Sequence, residues 1–159
     1  MEKIKKVFVD GSVNPQSKIG IGAFYSCNSL DGFDEKNIIT KKFENTSSTK
    51  LELECILWAI KELDSKEKLI IYTDCQNIFS LLNREEKLKK NNYFTSTNKK
   101  IKNYLLYKEF FSLNEKYDLN FIKLKGHKKS SLKDEIDLIF SKVDKAARKE
   151  LRDLNLCST

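Results

Sequence analysis

The apolar residues of this chain change period at Leu51, and that change limits the fold more than any other feature. Before it, apolar and β-branched residues come in short runs: Val7-Phe8-Val9, then Ile19 to Cys27, then Ile38 to Phe43. Runs of this length, bounded by polar or Gly-containing segments, are strands rather than helices. From Leu51 the spacing becomes helical, with Leu51, Cys55, Ala59 and Leu63 on every fourth position and Ile56 and Ile60 beside them. Three successive strands followed by an amphipathic helix must bury a sheet face against that helix, which points to a mixed α/β fold.

The first run leads into Asp10-Gly11-Ser12-Val13-Asn14-Pro15, a turn-prone segment that predicts a strand ending in a tight turn. Asn28 to Asn37, containing Asp31-Gly32, separates the second and third strands, so an antiparallel meander is expected. Ser47, Ser48 and Thr49 offer hydroxyl caps for the helix at Leu51. Leu69 to Thr73 is a buried-strand run with Asp74 at its end, and a short helix over Gln76 to Asn83 should follow. Leu106, Phe110, Leu113 and Tyr117 mark another helix, and Leu119 to Leu124 the last strand. Beyond a polar loop, Ile136, Phe140, Val143, Ala147, Leu151 and Leu154 fit one interrupted helix or two successive ones. The predicted architecture is a single α/β domain over residues 1–159, a five-stranded mixed sheet of antiparallel meander and parallel strands flanked by helices.

Composition excludes several classes. With 40% hydrophobic and 33% charged residues and only one Pro, the chain is neither fibrous nor disordered. Cys27, Cys55, Cys75 and Cys157 are far apart with no CxxC pair, which argues against a zinc site or a disulfide framework. No signal peptide or bilayer-length apolar run is present, so no membrane association and a cytoplasmic location are the expectations. The formal charge of +7 favours a polyanionic partner. Arg84 to Asn103 carries seven basic residues and two acids, hence +5 of that charge, although a solvated surface is the ordinary meaning of such a run.

Candidate chemistry comes from carboxylates. Asp10 and Asp74 follow strand runs and Glu52 lies in the first turn of the helix between them; ligands of such sheets bind at strand carboxyl ends. Phosphodiester hydrolysis at neutral pH needs an activated water and neutralised phosphoryl charge, which two divalent ions about 4 Å apart can supply from a carboxylate cluster. Taken singly, each Asp is as well explained by a turn or a helix cap.

Taken together, these residues resemble the type 1 ribonuclease H family. Asp10-Gly11-Ser12 after the first strand is similar to that family's opening motif, and Ser48-Thr49-Lys50-Leu51-Glu52-Leu53 to its helix start. Tyr72-Thr73-Asp74-Cys75-Gln76 resembles its Thr-Asp-Ser-Gln segment, Lys125-Gly126-His127 its Lys-Gly-His, and Val143-Asp144-Lys145-Ala146-Ala147-Arg148 its final Ala-Asp-x-x-Ala-Arg helix. Five motifs in order span nearly the whole chain.

The resemblance implies an endonuclease acting on the RNA strand of an RNA–DNA hybrid, leaving 5′-phosphate and 3′-hydroxyl ends. It also implies two Mg²⁺ ions, replaceable by Mn²⁺, held by Asp10, Glu52, Asp74 and Asp144. His127 is implied to assist proton transfer or product release from a loop. Gly11, Ser12, Asn14, Ser48, Thr49 and Gln76 match its substrate-contact positions. Leu88 to Phe94 and Asn98 to Asn103 are similar to a basic protrusion with which some members grip DNA, making Lys89, Lys90, Lys99 and Lys100 the expected contacts. A monomer is expected, as is the lack of a separate hybrid-binding domain ahead of the first strand. Another nuclease or resolvase of the same fold, or a catalytically silent nucleic-acid binding module, remains an alternative.

Two choices stay open to spacing. Glu52 and Glu54 point about 200° apart on a helix, so one of them faces a cluster; the resemblance selects Glu52 and leaves Glu54 on the surface. His127 and Asp144 are 17 residues apart where the family usually has about ten, and Asp137 would restore that separation while sharing a helix face with Asp144. The small-residue and Arg pattern around Asp144 selects it over Asp137.

Overall fold

In a computed structural model, the structure describes residues 2–125 and 134–157. Strand β1 (Ile4–Asn14) pairs antiparallel with β2 (Ile19–Cys27), which pairs antiparallel with β3 (Ile39–Phe43). Strand β4 (Lys68–Thr73) pairs parallel with β1 on its other side, and β5 (Leu119–Lys123) parallel with β4, giving the order β3-β2-β1-β4-β5. Helices α1 (Ser48–Leu63), α2 (Gln76–Lys90), α3 (Tyr104–Lys116) and α4 (Glu135–Cys157), with a 3-10 turn at Glu35–Asn37, complete the elements of the described residues. The expected meander joined to parallel strands is the observed sheet.

Alternation along the central strand divides the core in two. Val7 and Val9 face α1, where they pack in a cluster with Phe24, Ile56, Trp58, Ile60, Leu69, Ile71, Phe110 and Phe111. Phe8 faces the opposite side and stacks on Tyr72, 4.8 Å between centroids, in a cluster closed by Phe140, Val143, Ala147 and Leu151 of α4. The apolar stripe that left one or two helices possible belongs to one continuous helix.

Three sequence expectations are corrected. The strand does not turn at Asp10: β1 continues through Gly11 and Ser12 to Asn14, because β2 offers partners for each residue, Asp10 opposite Ala23, Gly11 opposite Gly22, Ser12 opposite Ile21. The turn comes at residues 15–18, where Asn14 accepts hydrogen bonds from the Gln16 and Ser17 amides. Parallel pairing with β4 nevertheless stops at Phe8, so Asp10 lies just past the point where the two strands part. Helix α2 runs to Lys90 rather than ending near Asn83, since Leu88 is buried in the core and prolongs the apolar face. Glu54 is half-buried and accepts a hydrogen bond from the buried Thr46 hydroxyl, so it is not a free surface side chain.

Close approach of α1 to the sheet depends on glycines. A Cβ on Gly11 would lie 2.9 Å from Cys55 Sγ, one on Gly20 2.7 Å from Leu51, and one on Gly22 2.7 Å from Cys55 Sγ. All three face α1, and together they let its N-terminal half sit against β1 and β2 at a distance no side chain there would allow. Gly22→Ala should therefore destabilise the protein by about 1–3 kcal/mol in urea denaturation, the usual cost of overpacking. Combined with Cys55→Ala, which removes the obstructing sulfur, the loss should be smaller than the sum of the single losses; additive losses would show that the contact does not limit the packing.

Candidate active site

Strand alternation that sends Val9 and Gly11 toward α1 sends Asp10 toward α4. Asp74 is the residue after β4, beside the place where β1 and β4 diverge. Glu52 lies in the second turn of α1 and not in the first as expected, because the helix already starts at Ser48, where the Ser47 hydroxyl accepts the Lys50 amide at 3.3 Å as the N-cap. Asp144 follows the buried Val143 on α4. Four elements thus bring Asp10, Glu52, Asp74 and Asp144 to one cavity of about 180 Å³, lined also by Gly11, Val13, Ser48 and Leu51.

The cluster is electrostatically loaded. Asp10 keeps some solvent exposure but is enclosed on nearly all sides; burial first, then the charges of Asp74 and Asp144, hold its carboxyl well above the usual carboxylate range. The Gly11 amide, hydrogen bonding to the Asp10 carboxylate, opposes the rise, and the nearness of the Asp144 carboxyl reinforces it. Burial raises Glu52 too; the Cys75 thiol lowers it by hydrogen bonding, and Asp74 adds to the rise. The same burial, with the Glu52 carboxylate adding to it, pushes the Cys75 thiol up to about 12, so at neutral pH it is a donor and not a nucleophile. On the far side, Arg148 pairs with Asp144 at 2.9 Å, one helical turn on.

The donors on the cavity surface are hard carboxylate oxygens, the kind that Mg²⁺ or Mn²⁺ accepts. Among the described residues no three Asp, Glu, Cys or His side chains are gathered closely enough to hold a metal ion by themselves. The set fits a cation that keeps part of its water shell, and the raised Asp10 marks where positive charge would relieve repulsion.

Asp137 plays a different part from Asp144. It is 7% exposed, and its carboxylate accepts the Asp134 amide at 3.3 Å while the Asp134 carboxylate accepts the Asp137 amide at 2.9 Å. This reciprocal pair is a capping box at the start of α4. The Asp134-x-x-Asp137 spacing is its signal in the sequence.

Other expected contacts divide. Ser48 lines the acidic cavity, whereas Thr49 is exposed outside it and Ser12 is half-buried on β1. Asn14 uses its side-chain oxygen on the turn, and Gln76 accepts a hydrogen bond from Lys123. Lys89 is held by Glu85 at 3.2 Å and Glu115 at 3.4 Å, and lies over Phe111. Lys100 donates to the Asn92 carbonyl at 2.8 Å and covers Phe94 and Tyr104. All four lysines Lys89, Lys90, Lys99 and Lys100 are exposed, but Lys89 and Lys100 are also engaged by groups of the protein itself. Lys125 is exposed; Gly126 and His127 lie outside the described residues.

Comparison with known proteins agrees with this fold. The sequence matches the RNase H family over residues 2–151. It is 30% identical to ribonuclease H of Acetivibrio thermocellus over 142 residues, covering 86% of this chain and 91% of that one. It is also 30% identical to ribonuclease H of Caldicellulosiruptor saccharolyticus over 115 residues, 71% and 79% of the respective chains. In fold it is similar to the PFV RNase H domain in solution, with TM-score 0.70 and 16% identity over 92% of both chains. The crystal structure of prototype foamy virus protease–reverse transcriptase matches with TM-score 0.71 and 17% identity over 91% of this chain and 20% of that longer one.

Because the folded protein holds the Asp10 proton more tightly than the unfolded chain does, ionisation of Asp10 opposes folding. That penalty is absent below the unfolded Asp value of about 3.9, grows as pH rises from there to the elevated folded value, and is full above it. In chelator, Asp10→Asn should raise Tm at pH 7–8, and the gain should shrink steadily toward acid pH. A gain that is constant with pH, or largest in acid, would contradict the electrostatic account.

Proposed function

The chain belongs to the ribonuclease H family and is a nuclease of that type, and from this premise we propose that its acidic cavity hydrolyses the RNA strand of RNA–DNA hybrids. The observation that carries the proposal is the convergence of Asp10, Glu52, Asp74 and Asp144, from β1, α1, the end of β4 and α4, on one cavity. When bound by these four, two Mg²⁺ ions, or Mn²⁺ in their place, would supply an activated water and neutralise charge at the phosphorus.

The chain's own residues set the conditions for that chemistry. Asp10, pressed between Asp74 and Asp144, is the acid with most to gain from a cation and the one best placed to share it. Asp144 faces Asp10 from α4, with its charge offset by Arg148 one helical turn on. Glu52 holds a proton more readily than a solvated carboxylate, and the Cys75 thiol orients it by donating to it. Ser48 places a hydroxyl beside the acids at the N-terminus of α1, where helix amides also favour a phosphate. A ribose 2′-hydroxyl, both donor and acceptor, is the group by which such polar contacts distinguish RNA from DNA. Breaking the P–O3′ bond leaves a 5′-phosphate and a 3′-hydroxyl.

Labelled RNA–DNA hybrid should be cut in a Mg²⁺- or Mn²⁺-dependent manner, while duplex DNA of the same sequence is left nearly intact; equal cleavage of both would remove the hybrid assignment. On that hybrid, Asp144→Asn should lose most activity without loss of stability. Asp137→Ala should keep turnover near wild type and lower stability by about 0.5–2 kcal/mol, the value of a helix cap. An inactive Asp137→Ala beside an active Asp144→Asn would reverse their roles.

A further inference from the structure

A second cavity, about 790 Å³ against 180 Å³ for the acidic one, lies between the C-terminal half of α2 and the segment 91–103. Arg84, Lys87, Leu88 and Asn91 form one wall; at spacings of three, four and seven they share a single face of α2 and its end. The opposite wall is Phe94, Thr95, Ser96, Asn98 and Ile101. Among the described residues no carboxylate lines it. Lys89 points elsewhere, to Glu85 and Glu115, so the helix divides its cations between a structural face and an open one.

The second wall is built and not a loose loop. Tyr93, 6% exposed, anchors it in the core, and its amide bonds the Leu88 carbonyl at 2.9 Å. The Thr95 amide reaches the Lys99 carbonyl at 2.7 Å, Ile101 donates to Tyr93 at 2.8 Å, and Phe94 pairs with Lys100 in an antiparallel bridge. This scaffold leaves the Phe94 ring 41% exposed, with Lys100 4.4 Å from its centroid.

Two cations, several amide and hydroxyl groups, and an exposed aromatic ring around one hollow match a nucleotide whose base is unstacked. A duplex does not satisfy the site, because it presents phosphates, sugars and base edges but keeps its base faces stacked, leaving none for the exposed ring. We propose that this cavity binds a nucleotide of a single-stranded flank running off the hybrid, with phosphate on Arg84 and Lys87 and base against Phe94. The inference rests on the hybrid reading for the identity of the strand, and on the cavity alone for the binding chemistry.

The test is fluorescence anisotropy in chelator with a blunt hybrid, the same hybrid with an unpaired tail of a few nucleotides at either end, and the single-stranded tail sequence alone. Wild type should bind a tailed hybrid roughly tenfold more tightly than the blunt one, as one stacked base implies. Arg84→Ala/Lys87→Ala and Phe94→Ala should erase that advantage and weaken binding of the isolated strand. Lys36→Ala/Lys66→Ala, which removes the same charge from exposed positions elsewhere, should preserve it. No tail advantage in wild type, survival of the advantage in Arg84→Ala/Lys87→Ala, or an equal loss on blunt and tailed hybrids would overturn the proposal. So would displacement of the tail by micromolar adenosine monophosphate, which would make the cavity a free-nucleotide site. Cleavage of the blunt hybrid with Mg²⁺, run in parallel, separates the two readings: cleavage without a tail effect sinks the cavity alone, and a tail effect without cleavage sinks the nuclease specificity alone.

Discussion

Everything at the acidic cavity depends on how closely α1 lies against β1 and β2. Cys55 and Leu51 fill the space that side chains on Gly11, Gly20 and Gly22 would otherwise occupy. Because Glu52 is next to Leu51, the depth of that contact sets how near Glu52 comes to Asp10 and Asp74. The packing is anchored further along the helix, where Trp58 meets Phe24 at 4.9 Å and Phe43 at 6.0 Å between ring centroids. Interiors at crystal-like density pass on displacements instead of absorbing them, so the glycine contact belongs to the geometry of the site as much as to the core.

On the other face, α4 acts as a second jaw. Val143 and Ala147 are fully buried against Phe8, Ile21 and Ala23, which leaves Asp144 at the rim of the packed stripe and opposite Asp10. The helix is held at its start by the reciprocal Asp134 and Asp137 cap, about two to three turns away from Asp144. The extra residues between the Lys-Gly-His segment and Asp144 thus include a capped helical extension, and the acid inside the cap serves the helix rather than the cluster. Repulsion among Asp10, Asp74 and Asp144 is the cost of assembling the site, and the apolar packing on both faces holds the acids together against it.

The basic stretch illustrates a second division of labour. Charge counting made Arg84 to Asn103 one patch, but the helical course of α2 turns Lys89 toward Glu85 and Glu115 and leaves Arg84 and Lys87 facing a hollow. Exposed pairs of the Lys89 kind add little stability, yet they decide which cations are spoken for.

The sequence by itself determined the strands, the helices and the acids. Periods of two and of about 3.6 are local properties, and Asp10, Glu52, Asp74 and Asp144 could be picked out because five short motifs keep their order along the chain. Tertiary structure decided what depends on partners. β1 runs past Asp10 because β2 supplies residues to pair with, α2 outlasts Asn83 because Leu88 finds a core, and Glu54 is occupied because Thr46 is folded back beside it. Asp137 and Asp144 share a helix face by spacing. Only the fold shows that one caps the helix and the other meets Asp10, since a carboxylate's role is set by what lies across from it and not by its distance along the chain.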